Sequence, residues 1–373
     1  MTLRDLPTPR VVVDFPRLQR NIANMAALAK NANVALRPHA KTHKSPVVAR
    51  WQIEAGAIGV CCAKIGEAEV FVEAGIENIR VPYPVHPSNA DRVLRLIDRA
   101  DISIIVDDES VARGWAERIH RADRELDVLV KVDVGFHRCG VDPSAPDVVE
   151  RIVRIADLRG LHFRGLLSHA GHSYLAGSTD DIKRIAITEI ELLGNLADQL
   201  RTRGVGVDEI SVGSTPSARF IALQPGATEM RPGNYVFFDR TQVGLGSATF
   251  DECAMSIIAT VVSHPAADRL ILDCGAKTLA IDGARGFGAF AGYGAIFPSL
   301  DATSPDPSLV IERLSEEHAT VRVTGRSPLK IGDRVRVYPN HACVVTNLMD
   351  ELLLVDGDTV IDHLPVAARG RIW

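Results

Sequence analysis

The sequence predicts an α/β chain: a (β/α)8 barrel of the TIM type followed by a C-terminal all-β domain. Two observations predict it. From residue 34 to about 240, short apolar runs alternate with longer amphipathic stretches. Beyond about residue 250 the helical stretches stop, and short β-rich runs remain, separated by turns such as Gly332-Asp333 and Asp356-Gly357-Asp358. Eight strand–helix units over roughly 200 residues fit a barrel in number and length. A doubly wound open sheet is the alternative, weakened because no GxGxxG follows the first strand.

The apolar runs that read as barrel strands are Val34–Lys41, Ala57–Lys64, Asn78–Tyr83, Ile102–Asp107, Asp127–Val134, Phe163–His169, Glu209–Ser214 and Glu229–Phe237. Helical spacing is clearest in Ala90–Ala100 and Asp181–Arg203, where Ile, Leu and Val recur on one side. The later strands are Val261-Val262, Leu270–Leu272, Thr320–Val323, Arg334–Tyr338, Leu352–Val355 and Thr359–Ile361. The domain division is therefore 1–245 for the barrel and 246–373 for the β domain, with roughly the first 20 residues free to pack on the second.

Composition sets the class. The 373 residues are 46% hydrophobic and 24% charged, which is enough for a sizeable core. A net charge of −5 excludes the basic surface that nucleic acid or an anionic membrane requires. No apolar stretch reaches the roughly 18 residues of a membrane span, and the N-terminus lacks the apolar core of a signal peptide, so a cytoplasmic location is expected. The six cysteines are scattered and read as reduced thiols, with Cys61-Cys62 as core.

Chemistry in such a barrel belongs at the C-terminal ends of the strands, where the unusual polar residues of this chain fall. Strand one ends in Pro38-His39-Ala40-Lys41-Thr42-His43-Lys44. A lysine at a strand mouth suits Schiff-base chemistry, which uses the free amine and is favoured by enclosure; a basic surface turn is the competing reading. Lys44 is the second candidate, expected to lie outside the mouth. Strand seven ends in Val212-Gly213-Ser214-Thr215-Pro216, a candidate phosphate cradle in which Gly213 admits close approach and Ser214 and Thr215 offer hydroxyls and inward N–H groups. Beside it lie Gly233, Asn234 and Tyr235. A reactive lysine facing a phosphate loop fits pyridoxal 5′-phosphate (PLP). A cofactor-free sugar-phosphate aldolase would use similar parts but leaves the second domain unexplained.

His341 and Cys343 stand two apart in what reads as an extended segment, so both side chains would face one ion. Imidazole with thiolate favours Zn2+, with Mn2+ or Mg2+ as alternatives, and two protein ligands leave positions open for substrate. Read alone, the pair is better explained as a chance pair in a β domain.

Together, the lysine heptapeptide, His137-Arg138-Cys139-Gly140, Ser168-His169-Ala170-Gly171 and Arg231-Pro232-Gly233-Asn234-Tyr235 resemble the alanine-racemase-type (fold type III) PLP enzymes. Val212–Pro216 and Pro339-Asn340-His341-Ala342-Cys343 resemble the metal-dependent D-serine dehydratase and D-threonine aldolase branch. The resemblance implies that Lys41 carries the Schiff base and acts as α-proton base. It implies that Arg138 donates to the cofactor's phenolic oxygen and that His169 lies by the ring. Tyr174, Gly213, Ser214, Thr215, Gly233, Asn234 and Tyr235 would hold the cofactor, and His341 and Cys343 the metal. It further implies a head-to-tail homodimer, a small β-hydroxy D-amino acid as substrate, and dehydration to a 2-oxo acid and ammonia. The His-x-Cys pair and the Gly-Ser-Thr-Pro loop favour the dehydratase, whereas Asn347-Leu348-Met349-Asp350 resembles the aldolases. A racemase and a non-catalytic PLP-binding barrel protein are the remaining alternatives.

Overall fold

The computed structural model describes residues 1–373 except Ala284, Ala289 and Arg326. The chain starts in β1 (Arg10–Asp14) and α1 (Phe15–Asn31), which Asp14 caps through its side chain on Arg17 N at 2.9 Å. Strands and helices then alternate as β2 (Ala35–Leu36), α2 (Pro46–Glu54), β3 (Val60–Cys61), α3 (Ile65–Glu73), β4 (Asn78–Pro84), α4 (Ala90–Ile97), β5 (Asp101–Val106) and α5 (Glu109–Arg121). The alternation continues through β6 (Leu126–Lys131), α6 (Val148–Ala156), β7 (Leu161–Leu167), α7 (Thr179–Thr202), β8 (Glu209–Val212), α8 (Ala218–Ile221), β9 (Glu229–Met230) and α9 (Arg240–Gly244). Strands β2 to β9 form an eight-stranded parallel sheet in the order β2-β9-β8-β7-β6-β5-β4-β3. A parallel bridge between His39 and Cys61 joins its two edges, so the sheet curls into a barrel.

Five of the barrel strands, β2, β3, β6, β8 and β9, are shorter than their apolar runs suggested, chiefly at the C-terminal ends, whereas β4, β5 and β7 match theirs in length to within a residue. Arg37 N still donates to Met230 O and His39 N to Pro232 O, both at 3.0 Å. Then Ala40–Thr42 turns into a 3-10 helix, so Lys41 stands on a turn above the sheet rather than in a strand. Residues after Met230 likewise leave the ladder, and Asn234–Val236 is a second 3-10 turn. These flared ends are what make room for a site.

The helices cover the barrel as their spacing requires. In α7 one side buries Ile182, Ile190, Leu193, Leu196 and Leu200, while Ser178 caps the start at Asp181 N and Asp180 and Asp181 oppose the helix dipole. Shortening such a buried leucine to alanine costs about 2–5 kcal/mol. The barrel interior is partly ionic. Buried Glu229 accepts from Arg37 at 2.7 Å and Arg80 at 2.6 Å, and Ser211 also donates to it. Against burial, which would raise it, these arginines pull the Glu229 carboxyl down to about 2.

The second sheet has nine strands: β1 with β10 (Met255–Ala266), β11 (Arg269–Leu272), β12 (Ala295–Phe297), β13 (Leu309–Leu314), β14 (Ala319–Val323), β15 (Arg334–Tyr338), β16 (Glu351–Asp356) and β17 (Thr359–Pro365). Its pairings are antiparallel except β1 with β16, and β11 pairs back onto β10, closing six strands into a ring. Strands β1, β12 and β13 have no counterpart among the expected runs. The short helices α10 (Ala276–Leu279) and α11 (Ala342–Leu348) also belong to this region. Among the described residues, no helix is long and apolar enough to cross a membrane. All six cysteines are free.

Candidate active site

The flared strand ends surround a cavity of about 470 Å3 that reaches from the barrel to His341 and Cys343, a size suited to a cofactor-sized ligand. Lys41 lines it, exposed within the open space rather than enclosed as expected. The turn that presents Lys41 is held by His39, whose Nδ1 accepts from Lys41 N at 3.4 Å. Gly233 packs directly against this turn. A Cβ there would sit 2.8 Å from His39 O, so the position admits no side chain without displacing the lysine turn. Lys44 is not among the residues that line the cavity, as expected of a position outside the mouth. Its ammonium is nevertheless buried, and pairs with the Glu67 carboxylate, which also accepts from Ala63 N. That pairing makes Lys44 a structural cation.

The loop after β8 forms one wall. Gly213 has φ +96°, in the region that favours glycine. Ser214 and Thr215 are buried beside it. Several donors expected to face an anion are already used: Ser214 N donates to Ser217 Oγ at 3.0 Å, and Gly233 N and Tyr235 N donate to Thr215 Oγ1 at 3.3 and 3.2 Å. The Tyr235 side chain does not reach the cavity. It is fully buried and its hydroxyl meets Gln52 Nε2 at 2.9 Å, so any part of Tyr235 in holding the cofactor falls to its backbone. Among the described residues, Thr215 N and Asn234 N have no hydrogen-bond partner, and both residues line the cavity. The buried amide of Gln242, another lining residue, lacks partners at both ends. Unpartnered donors on a concave wall fit a phosphate-bearing group.

The remaining predicted residues converge from other strands. Arg138 stands over the Phe136 ring, 5.0 Å from its centroid, and Phe136 meets the His169 ring edge-on at 6.0 Å. Asp133 Oδ1 accepts from the N–H groups of Gly135, Phe136 and His137, which shapes the loop that carries Arg138. Enclosure, with Lys41 beside it, holds His169 well below its usual pKa and therefore neutral. Tyr174 also lines the cavity, its hydroxyl pushed up by burial.

Four contributors escaped the sequence reading. Lys131, at the end of β6, is buried and lines the cavity; burial, with Arg231 beside it, brings it down to about 7. Arg231 donates to Ser211 Oγ and Ser168 O. Glu189 of α7 is buried behind the wall, where its Oε1 accepts from Ser168 Oγ at 2.6 Å, Ala170 N at 3.1 Å and Gly213 N at 3.4 Å. It thereby ties the His169 strand end to the Gly213 loop. Asp282 meets His341 Nδ1 at 2.5 Å. Lys131 lay at the polar end of the expected strand Asp127–Val134 and Arg231 in a quoted motif, without a role assigned; Glu189 and Asp282 gave no local signal, because their partners are distant in sequence.

His341 and Cys343 do line one wall together, but not on an extended segment: His341 caps α11 and Cys343 lies in its first turn. Thr42 Oγ1 lies 3.2 Å from Cys343 Sγ, linking the lysine turn to the pair. Burial would push the Cys343 thiol up, but the His341 charge brings it below its ordinary value. Thiolate plus an imidazole anchored at Nδ1 by a carboxylate is a donor set suited to a soft or borderline divalent ion. Among the described residues no cluster of three or more His, Cys, Asp and Glu side chains is placed to hold a metal.

Comparison with known proteins points the same way. Residues 13–241 match the alanine racemase N-terminal domain, and residues 254–355 match the putative serine dehydratase domain. D-threonine aldolase from Arthrobacter sp. is 34% identical over 99% of this chain and 94% of its own length. D-threo-3-hydroxyaspartate dehydratase from Delftia sp. (strain HT23) is 33% identical over 92% of each chain. A solved structure of a D-threo-3-hydroxyaspartate dehydratase mutant in the metal-free form superposes with a TM-score of 0.91 at 31% identity, covering 98% of both chains. Alanine racemase from Clostridium difficile shares the fold, with a TM-score of 0.69 at 13% identity over 97% of this chain and 100% of its own.

Proposed function

The chain belongs to the alanine-racemase-type family of PLP enzymes, and we propose that it is a PLP- and divalent-metal-dependent lyase of β-hydroxy D-amino acids. The reaction we assign is dehydration of D-serine or a 3-hydroxy-D-amino acid to a 2-oxo acid and ammonia. The observation that carries this reading is the 3.2 Å contact between Thr42 Oγ1 and Cys343 Sγ, which puts the lysine turn and the thiolate–imidazole pair in one cavity.

Lys41 would hold the cofactor covalently, and its Nζ would be the base for the α-proton. Bound PLP would supply an electron sink for charge on the α-carbon. Arg138 and neutral His169 would hold the cofactor ring, with Arg138 the donor for its phenolic oxygen. Thr215 N and Asn234 N, with the Ser214 and Thr215 hydroxyls, would hold the phosphate. His341 and Cys343 would hold a divalent ion, Zn2+ by the softness of its donors, which would supply Lewis acidity for the β-hydroxyl. Asp282, at His341 Nδ1, leaves Nε2 as the ring nitrogen for that ion. We further propose a head-to-tail homodimer, and a domain division near residue 245.

A second reading, aldol cleavage to glycine and an aldehyde, is favoured by the Asn347-Leu348-Met349-Asp350 stretch and by the 34% identity to an aldolase. Incubation with PLP, Zn2+ and either D-serine or D-threonine separates the two. Pyruvate or 2-oxobutyrate with ammonia is the expected result. Glycine with acetaldehyde from D-threonine establishes the second reading, and the absence of dehydration and cleavage products from D-serine, D-threonine and 3-hydroxy-D-aspartate alike overturns the lyase assignment.

A further inference from the structure

We propose that Arg285 selects β-hydroxy D-amino acids that carry a second carboxylate beyond Cβ, as 3-hydroxy-D-aspartate does. This rests on the lyase reading above and names the substrate class within it. Arg285 lines the cavity with Gly283 and His341, on the side of the thiolate–imidazole pair. A β-hydroxyl directed at that pair would bring Cβ, and with it any further substituent, to this part of the cavity. Serine and threonine substrates bring only hydrogen or methyl there, whereas a carboxylate matches the guanidinium fork.

The loop that carries Arg285 is anchored at both ends. Asp282 meets His341 Nδ1, and Asn340 Nδ2 donates to Asp282 O at 2.9 Å. On the far side Gly288 N donates to Gly244 O at 2.9 Å, and Arg240 donates to Ala291 O at 2.9 Å and Gly292 O at 3.3 Å. Gly286, at φ +99°, lies so close to α9 that a Cβ would sit 2.6 Å from Gly244 C. Arg285 thus has anchored residues on both sides in sequence, and its side chain is exposed and lines the cavity.

Of the other cavity cations, Arg231 is tied to Ser211 and Ser168 and Arg138 stands over Phe136, whereas Lys131 is buried at the end of β6 without a side-chain partner among the described residues. Among the described residues, Arg285 makes no ion pair and no side-chain hydrogen bond. It is the cation left to meet a ligand on this wall.

The test uses holoenzyme and two unreactive probes, D-aspartate and D-alanine, titrated by the absorbance change of the bound cofactor. The parent protein should bind D-aspartate more tightly than D-alanine by roughly 10- to 100-fold. Arg285→Ala should collapse that ratio toward one, and Arg285→Lys should restore part of it. In turnover, the ratio of kcat/KM for 3-hydroxy-D-aspartate over D-serine should fall by a similar factor in Arg285→Ala. A parent ratio near one, or a ratio unmoved by Arg285→Ala, overturns the proposal. Equal weakening of both probes also overturns it, because Arg285 then serves the α-carboxylate common to both. If the probe ratio behaves as predicted and no β-hydroxy D-amino acid is turned over, carboxylate selection stands and the lyase reading falls.

Discussion

Lys41 and Lys44 lie three residues apart, yet the structure gives them opposite consequences on mutation. Lys44→Met removes the partner of Glu67, whose side chain is only 2% exposed, and leaves that carboxylate buried and unpaired. Breaking a buried pair from one side costs about 3–5 kcal/mol. Lys41→Ala removes an exposed side chain that makes no ion pair among the described residues, and should cost no more than about 0.5 kcal/mol. Urea unfolding of the two apoproteins reads the difference as a midpoint lowered by about 1 M or more for Lys44→Met alone. Cofactor absorbance reads the opposite order: Lys44→Met keeps the band of lysine-bound cofactor and Lys41→Ala loses it. Adding Glu67→Leu to Lys44→Met should recover much of the stability, since an apolar pair of similar volume replaces a buried ionic one at little cost. A fully stable Lys44→Met that lacks the band, with the band retained in Lys41→Ala, would refute the reasoning.

Three further outcomes follow from the geometry. Asp282→Asn leaves His341 without its anchoring carboxylate and should weaken metal binding by about 10- to 100-fold, measured by competition with a chelating dye; unchanged affinity would remove Asp282 from the site. Gly233→Ala puts a Cβ 2.8 Å from His39 O and should cost about 1–3 kcal/mol and weaken cofactor binding, read by equilibrium dialysis of PLP. Burial pulls His43 from 6.5 to about 4, so the folded chain binds fewer protons than the unfolded one between these values. Stability present above about pH 6.5 is then lost as pH falls toward 4, on the order of 3 kcal/mol from this residue. Urea midpoints across that range should show the fall, and His43→Gln should remove this residue's share of it, leaving the contributions of buried His39 and His169.

How much was legible in the sequence depended on how local the signal was. The eight apolar runs found all eight barrel strands because each run is buried by its own neighbours in the barrel. Except in β4, their C-terminal limits were overestimated, since apolarity continues into turns such as Ala40–Thr42 that leave the sheet yet stay packed. β12, of three residues, is too short to register a period, and β1 stands far in sequence from its partners β10 and β16. In the site, residues within motifs were found: Lys41, Arg138, His169, Gly213 and Cys343 all line the cavity. The Tyr235 side chain stays out of the cavity because adjacent residues in a 3-10 turn point in different directions, and it turns inward to Gln52. Glu189 and Asp282 were invisible because they act on groups 19 to 24 and 59 residues away.

The division of labour between Lys41 and the His341–Cys343 pair can be measured on one substrate. Holoenzyme stripped of metal by a chelator is incubated with D-serine in heavy water, and α-deuteration and pyruvate are followed by NMR. The predicted result is α-deuteration without pyruvate, with pyruvate returning when Zn2+ is restored. Undiminished pyruvate from the stripped enzyme would contradict the account.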